Sequence, residues 1–218
     1  FGEYPVKFGS GSFGGGLAAV PAQGVHAWIE RSVGALGGLG GEHAGDQRRA
    51  KQVGDLEQRG HAFKGTSDTE VILAAYAEWG IDCTTRFNGM WAFAIWDTEE
   101  KALFLSRDRF GKKPLFYARI GDNFVFASEM KAILPLLPSV KPSSDFDWMK
   151  RNIFTYESTD KCLIEGIKRF PAGHSGTLKA GKLSVRRYWN TLDHLVKVPA
   201  RYEGQVELWR TSRRADKS

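Results

Sequence analysis

Between Ser106 and Tyr117 the chain reads SRDRFGKKPLFY, with Arg107, Arg109, Lys112 and Lys113 set around one acid, Asp108. Cations at this density can grip phosphate, track a nucleic acid, or hold two parts of one fold in register. Gly111 and Pro114 punctuate the stretch, and Pro114 leads into an apolar, aromatic run. A second feature is the acid pair Asp68 and Glu70 in TSDTEVILAAYAEWG. An acid in the first turn of a helix complements the helix dipole. The two thiols, Cys83 and Cys162, have no second Cys or His at metal-ligand spacing, so no metal site is expected and both read as structural. SGSFGGG, near the start, is glycine-rich but lacks the strand and the Lys of a phosphate loop.

The net charge of +6 invites a nucleic-acid partner. Its distribution argues against one. The last eleven residues hold four cations and one acid, which leaves only +3 for the other 207. Basic residues and aromatics do not interleave on a recognisable platform. No apolar run approaches the roughly 18 residues of a membrane span, so no membrane partner is expected. Two isolated thiols and no signal-like start predict a reducing, cytoplasmic setting.

The elements that must carry these residues divide the chain in three. Residues 1–50 hold 13 of the 25 glycines and show neither helical nor strand periodicity. Residues 1–52 are therefore expected to be irregular, degenerate or foreign. Residues 53–190 read as one domain, and 191–218 as a linker with a basic tail. In the middle region Ser67 and Glu70 have capping-box spacing. Val71, Ile72, Ala75, Tyr76 and Trp79 form the apolar stripe of a helix that Gly80 stops. FNGMWAFAIWD places Trp91, Phe93 and Ile95 on one strand face and Ala92, Ala94 and Trp96 on the other. Both faces are apolar, so both must be covered. ALFLSRD is a second strand. PLFYARI and NFVFASE form a hairpin about Gly121-Asp122. SEMKAILPLL is a short helix with Ser128 as its cap and Pro135 as its stop, and SGTL and KLSVRRYW flank a turn at residues 179–181. Strands clustered between helices predict an α+β fold rather than alternating βαβ units.

SDTEVILAAYAEWG, RFNGMWAFAIWD, LFLSRDRFGKKPLFYA, FASEMKAIL, PAGHSGTL and RRYWN occur in this order. Together they resemble the glutamine-hydrolysing domain of asparagine synthetases, a class II glutamine amidotransferase. The resemblance runs from about Leu56 to Glu207. It implies an N-terminal-nucleophile fold, a four-layer α/β/β/α sandwich, here incomplete at its N-terminal side. It implies that Arg107, Asp108, Arg109, Gly111, Lys113 and Pro114 form a structural motif, a charged bend between two strands held by local ion pairs and hydrogen bonds. It also implies that Asp68 binds the ammonium of glutamine.

The family's chemistry needs an N-terminal Cys whose own amine is the base. It also needs an Asn side chain and a Gly N–H, in an NGE segment, for the oxyanion. Ammonia then passes to a synthetase domain, where ATP and Mg serve the amidation of aspartate. Here residue 1 is Phe, no CGI start or NGE occurs, and Asn88-Gly89 belongs to the later strand motif. Arg31, Arg48 and Arg49 lie upstream of the match, and none is assigned to the glutamine carboxylate. No catalytic residue and no cofactor is assigned to this chain. Glutamine, and a synthetase domain or second subunit, are the expected partners. The alternative is a non-catalytic amidotransferase-like domain that binds glutamine or a protein.

Overall fold

The computed structural model describes residues 25–29, 52–65, 67–152, 159–194 and 197–215. The first elements are strand β1 (Val25–Ile29), helix α1 (residues 52–57) and helix α2 (Asp68–Trp79). A 3-10 turn (Gly80–Asp82) and helix α3 (Cys83–Arg86) lead into strands β2 (Ala92–Asp97), β3 (Ala102–Arg107), β4 (Phe116–Ile120) and β5 (Asn123–Ala127). Helices α4 (Met130–Ile133) and α5 (Phe146–Arg151) precede β6 (Ile167–Arg169), β7 (His174–Lys179) and β8 (Lys182–Arg187). Helix α6 (Tyr202–Ala215) follows.

The strands form a five-stranded sheet in the order β1-β2-β3-β7-β8 and a three-stranded sheet in the order β5-β4-β6. Every pairing is antiparallel. The double-apolar pattern of β2 now has its cause. Trp91, Phe93, Ile95 and Phe104 pack against Val71, Ile72 and Ala75 of α2, with Leu56 of α1. Ala92 and Ala94, on the opposite face, join Leu103, Leu105, Leu115 and Phe170, against which Tyr117, Phe124 and Phe126 of the second sheet pack. The small alanines let the two sheets approach. The outer face of the second sheet, Phe116 and Ala118, meets Ile133 and Cys162, with Met130 against them. The layers are helix, sheet, sheet, helix, an α+β arrangement.

Several local expectations are refined. Ser67 caps α2, but its Oγ accepts from the N–H of Thr69, and the Glu70 carboxylate accepts from Gly65 rather than from Ser67. The reciprocal box is opened because the chain before the helix turns back far enough to offer Gly65. The N-cap of α4 is Glu129, without a side-chain bond, so Ser128 does not cap it. Pro135 lies within the 3-10 turn Leu134–Leu136 that continues α4. The β7–β8 turn is Ala180-Gly181, since Lys179 pairs with Lys182. Positive φ at both, 47° and 73°, gives the turn the twist a two-residue hairpin needs.

Two corrections concern the ends. The glycine-rich segment, read as irregular, contributes β1, in which Trp28 pairs with Ala94. VHAWI is a short β-prone run whose pairing supplies what its glycine-rich flanks obscure. SGSFGGG, Arg31, Arg48 and Arg49 lie outside the described residues. The region read as a linker carries α6. Its side chains gain little cover, and Leu192, Val198, Tyr202 and Trp209 remain exposed.

Candidate functional site

The charged bend sits where β3 ends. Arg107 is 1% exposed, and Asp108 is fully buried. The Arg107 guanidinium donates through Nε to the Lys113 carbonyl at 2.7 Å, through Nη1 to Phe170 at 2.9 Å, and through Nη2 to Gly111 at 2.7 Å. The Asp108 carboxylate accepts from the N–H groups of Phe110, Lys112 and Lys113, at 3.0, 3.0 and 2.9 Å. Cation and anion thus satisfy opposite halves of one loop's backbone. Buried charge is tolerable because main-chain dipoles surround it. The cations, expected to hold the bend locally, reach further. Phe170 is 63 residues from Arg107, so the clamp ties the β3–β4 loop to the segment between β6 and β7.

Gly111 is required twice over. Its φ is +63°, and a Cβ there would lie 2.9 Å from Arg107 Cζ and 3.1 Å from Ala172 Cβ. Pro114 follows the last clamped carbonyl and leads Leu115, fully buried, into the core between the sheets. Arg109 takes a different path. Its Nη2 donates to the Phe87 carbonyl at 3.0 Å, and its guanidinium lies 4.2 Å over the Trp189 ring. With its fork turned to three carbonyls, the Arg107 guanidinium is not arranged to receive a phosphate.

Sequence reasoning missed the partners that complete the clamp. The Tyr188 hydroxyl donates to the Arg107 carbonyl at 2.7 Å, and the Gly173 N–H donates to that of Asp108 at 2.8 Å. Gly173 has φ +68°, and a Cβ there would meet the Trp189 carbonyl at 2.7 Å. PAGHSGTL and RRYWN contain these residues, but nothing in their local pattern shows that they converge on Arg107.

Asp68 is the first residue of α2 and is half-buried. It belongs to the helical layer, whereas the Arg107 clamp closes the end of β3. In the same turn the Glu70 carboxylate accepts from the Gly65 N–H. Cys83 is fully buried and burial pushes its thiol up to about 12, so it is protonated at neutral pH and is no nucleophile. Cys162 is buried against Met130, and both thiols are free.

Burial raises Tyr76 to about 12, with Asp97 adding to the effect, and raises Tyr188 as well. For these groups and Cys83 the neutral, protonated form is the one the fold accommodates. Above pH 9 the folded chain therefore holds more protons than the unfolded one, and stability falls as pH rises. Urea midpoints are expected to decline steadily between pH 9 and 12, and Tyr76→Phe to flatten part of that decline. A midpoint constant over this range would contradict the burial of these groups.

The glutamine amidotransferase domain model matches residues 51–189. Asparagine synthetase [glutamine-hydrolyzing] 3 of Bacillus subtilis is 41% identical over 138 residues, 62% of this chain and 22% of that protein. Asparagine synthetase [glutamine-hydrolyzing] 2 of the same organism is 34% identical over 144 residues, 63% and 19% of the two chains. This chain thus spans about a fifth of the length of these curated relatives. Among solved structures, the glutamine phosphoribosylpyrophosphate amidotransferase of B. subtilis aligns with TM-score 0.50 at 18% identity, over 79% of this chain and 31% of that one. An allosteric regulatory enzyme of purine biosynthesis aligns with TM-score 0.51, also at 18% identity, over 80% and 31%. These likenesses show the amidotransferase fold. With a two-sheet core closed by the Arg107 clamp and a family match over most of its length, the chain belongs to the glutamine amidotransferase domain family.

Proposed function

We propose that this chain is the glutamine-handling part of an asparagine synthetase-like protein, in which glutamine hydrolysis supplies ammonia for the ATP-dependent amidation of aspartate. The observation that carries the reading is the family match over residues 51–189, together with asparagine synthetases as its curated relatives. Within this chain Asp68 is the residue assigned to glutamine. A half-buried carboxylate at the head of α2 has the charge to meet the substrate's ammonium. The amidation itself belongs to a synthetase region or second subunit. ATP and Mg would be held there, as the likeness to asparagine synthetases implies. In the family, ammonia freed from glutamine is consumed there as the nucleophile.

Calorimetric titration with glutamine tests the role of Asp68. Weak binding is expected for the chain as it stands, and Asp68→Ala should weaken it at least about tenfold, the loss of one charge-assisted contact. The thermal midpoint should stay within a few degrees, because the Ser67 cap of the helix is kept. Equal affinity in both chains would remove Asp68 from the site.

A further inference from the structure

The five-stranded sheet ends at β8, and this edge has features of a docking site. The Ala180-Gly181 turn sets the register, with Lys179 opposite Lys182. In a two-residue hairpin the flanking pair is hydrogen-bonded, and bonded and non-bonded pairs then alternate. The N–H and C=O groups of Leu183, Val185 and Arg187 therefore point away from β7, and among the described residues no strand lies beyond them. Val185 is 40% exposed. Lys182 and Arg187 have no carboxylate partner among the described residues, whereas Arg186 pairs with Asp82.

Beside the start of this edge lies a groove of about 810 Å³. Leu183, Tyr117, Ile164 and Ile167 give it apolar surface, while its Lys161 and Lys168 already pair with Asp145 and Asp160, which line it too. By strand alternation Leu183 and Val185 share the face that looks toward the second sheet, and Leu183 packs there. A free edge thus runs beside a groove that its own alternate side chains help to line.

We propose that β8 and this groove bind an extended, acidic segment of a partner protein by strand addition. Main-chain bonds to Leu183, Val185 and Arg187 supply the pairing. Apolar side chains at alternate positions enter the groove. Acidic residues between them fall on the face of Lys182, which has no carboxylate partner among the described residues, and of Arg186, in an edge, KLSVRR, that carries no acid of its own. The same cations discourage pairing of this edge with a second copy of itself, by like-charge repulsion. This reading concerns a surface apart from Asp68 and stands whether or not the chain handles glutamine.

The test uses the full 218-residue chain and an acetylated eight-residue peptide alternating Glu and Val, labelled for fluorescence anisotropy. Saturable binding is expected, with slowed hydrogen exchange at the amides of Leu183, Val185 and Arg187. Val185→Pro removes one outward N–H without touching the β7 ladder, and should weaken binding about tenfold or more. If that variant does not fold, a peptide N-methylated at alternate residues poses the same question to the unaltered chain, and its binding should be lost. Undiminished binding by either would overturn strand addition. So would the absence of saturable binding, or a dimer of the chain formed through β8 that excludes the peptide. Equal binding of a peptide with Lys in place of Glu would overturn the acidic partner.

Discussion

Trp91→Asp is expected to lower the stability of the domain by about 5 kcal/mol, combining loss of a large buried aromatic with burial of an unpaired carboxylate. Trp91 is 2% exposed. Its ring meets Phe87 edge-on at 5.6 Å and stacks on Tyr188 at 6.1 Å, and its indole N–H donates to Ser106 Oγ at 3.0 Å. Phe87 and Tyr188 both lean on it, so its removal loosens the α3–β2 connection and the end of β8 together. An aspartate there would fill little of the volume and could not donate to Ser106 in its charged form. A loss of this size would lower the thermal midpoint by roughly 10–20 °C in a domain of this length. Trp91→Phe, which keeps the ring stacking and loses only the indole bond, should cost about 1–2 kcal/mol. A thermal midpoint for Trp91→Asp within error of the parent would show that this strand face is not the core the structure places there.

Arg107→Met is expected to cost about 4 kcal/mol. The substitution keeps an unbranched apolar stem but lacks the guanidinium, so the loss is mainly that of its hydrogen bonds, with some packing. Three carbonyls, those of Gly111, Lys113 and Phe170, would lose their donor in a buried setting. Each unsatisfied acceptor costs roughly 1–3 kcal/mol, with less than full additivity because the loop can relax and admit water. Arg107→Lys should recover only part of this, since one ammonium cannot reproduce a planar fork aimed at three carbonyls. Hydrogen exchange localises the effect. Amides between residues 110 and 116 and between 170 and 173 should exchange much faster, while those of α2 should lose protection only to the extent that global stability falls. Urea midpoints that match between Arg107→Met and the parent would reduce the clamp to a surface ornament.

Much of the core was legible in the sequence because its signals are local. The α2 stripe, the two-faced pattern of β2 and the Gly121-Asp122 hairpin each depend on periodicity or turn chemistry within a dozen residues. Cap details were less legible. Glu70 turns to Gly65 because of the path of the preceding chain, which no spacing rule contains. β1 escaped notice because five residues among glycines carry too little pattern of their own. α6 escaped because its short apolar stripe, Tyr202, Val206 and Trp209, lies in a polar, mostly exposed stretch that reads as linker.

The candidate site divides along the same line. Sequence by itself determined the motif Arg107, Asp108, Arg109, Gly111, Lys113 and Pro114, and placed Asp68 at the head of a helix. It determined too that Cys83, in mid-chain, has no α-amino group of its own to act as base. Only the tertiary structure decided what the cations do. Arg107 meets the Phe170 carbonyl across 63 residues, and Arg109 meets Trp189 across 80. A guanidinium's charge is written in its residue type, but the acceptors it finds depend on which loops the two sheets bring together when their apolar faces close. Burial makes the bend expected here a clamp on the protein's own distant backbone, because a desolvated cation must take the nearest fixed dipoles.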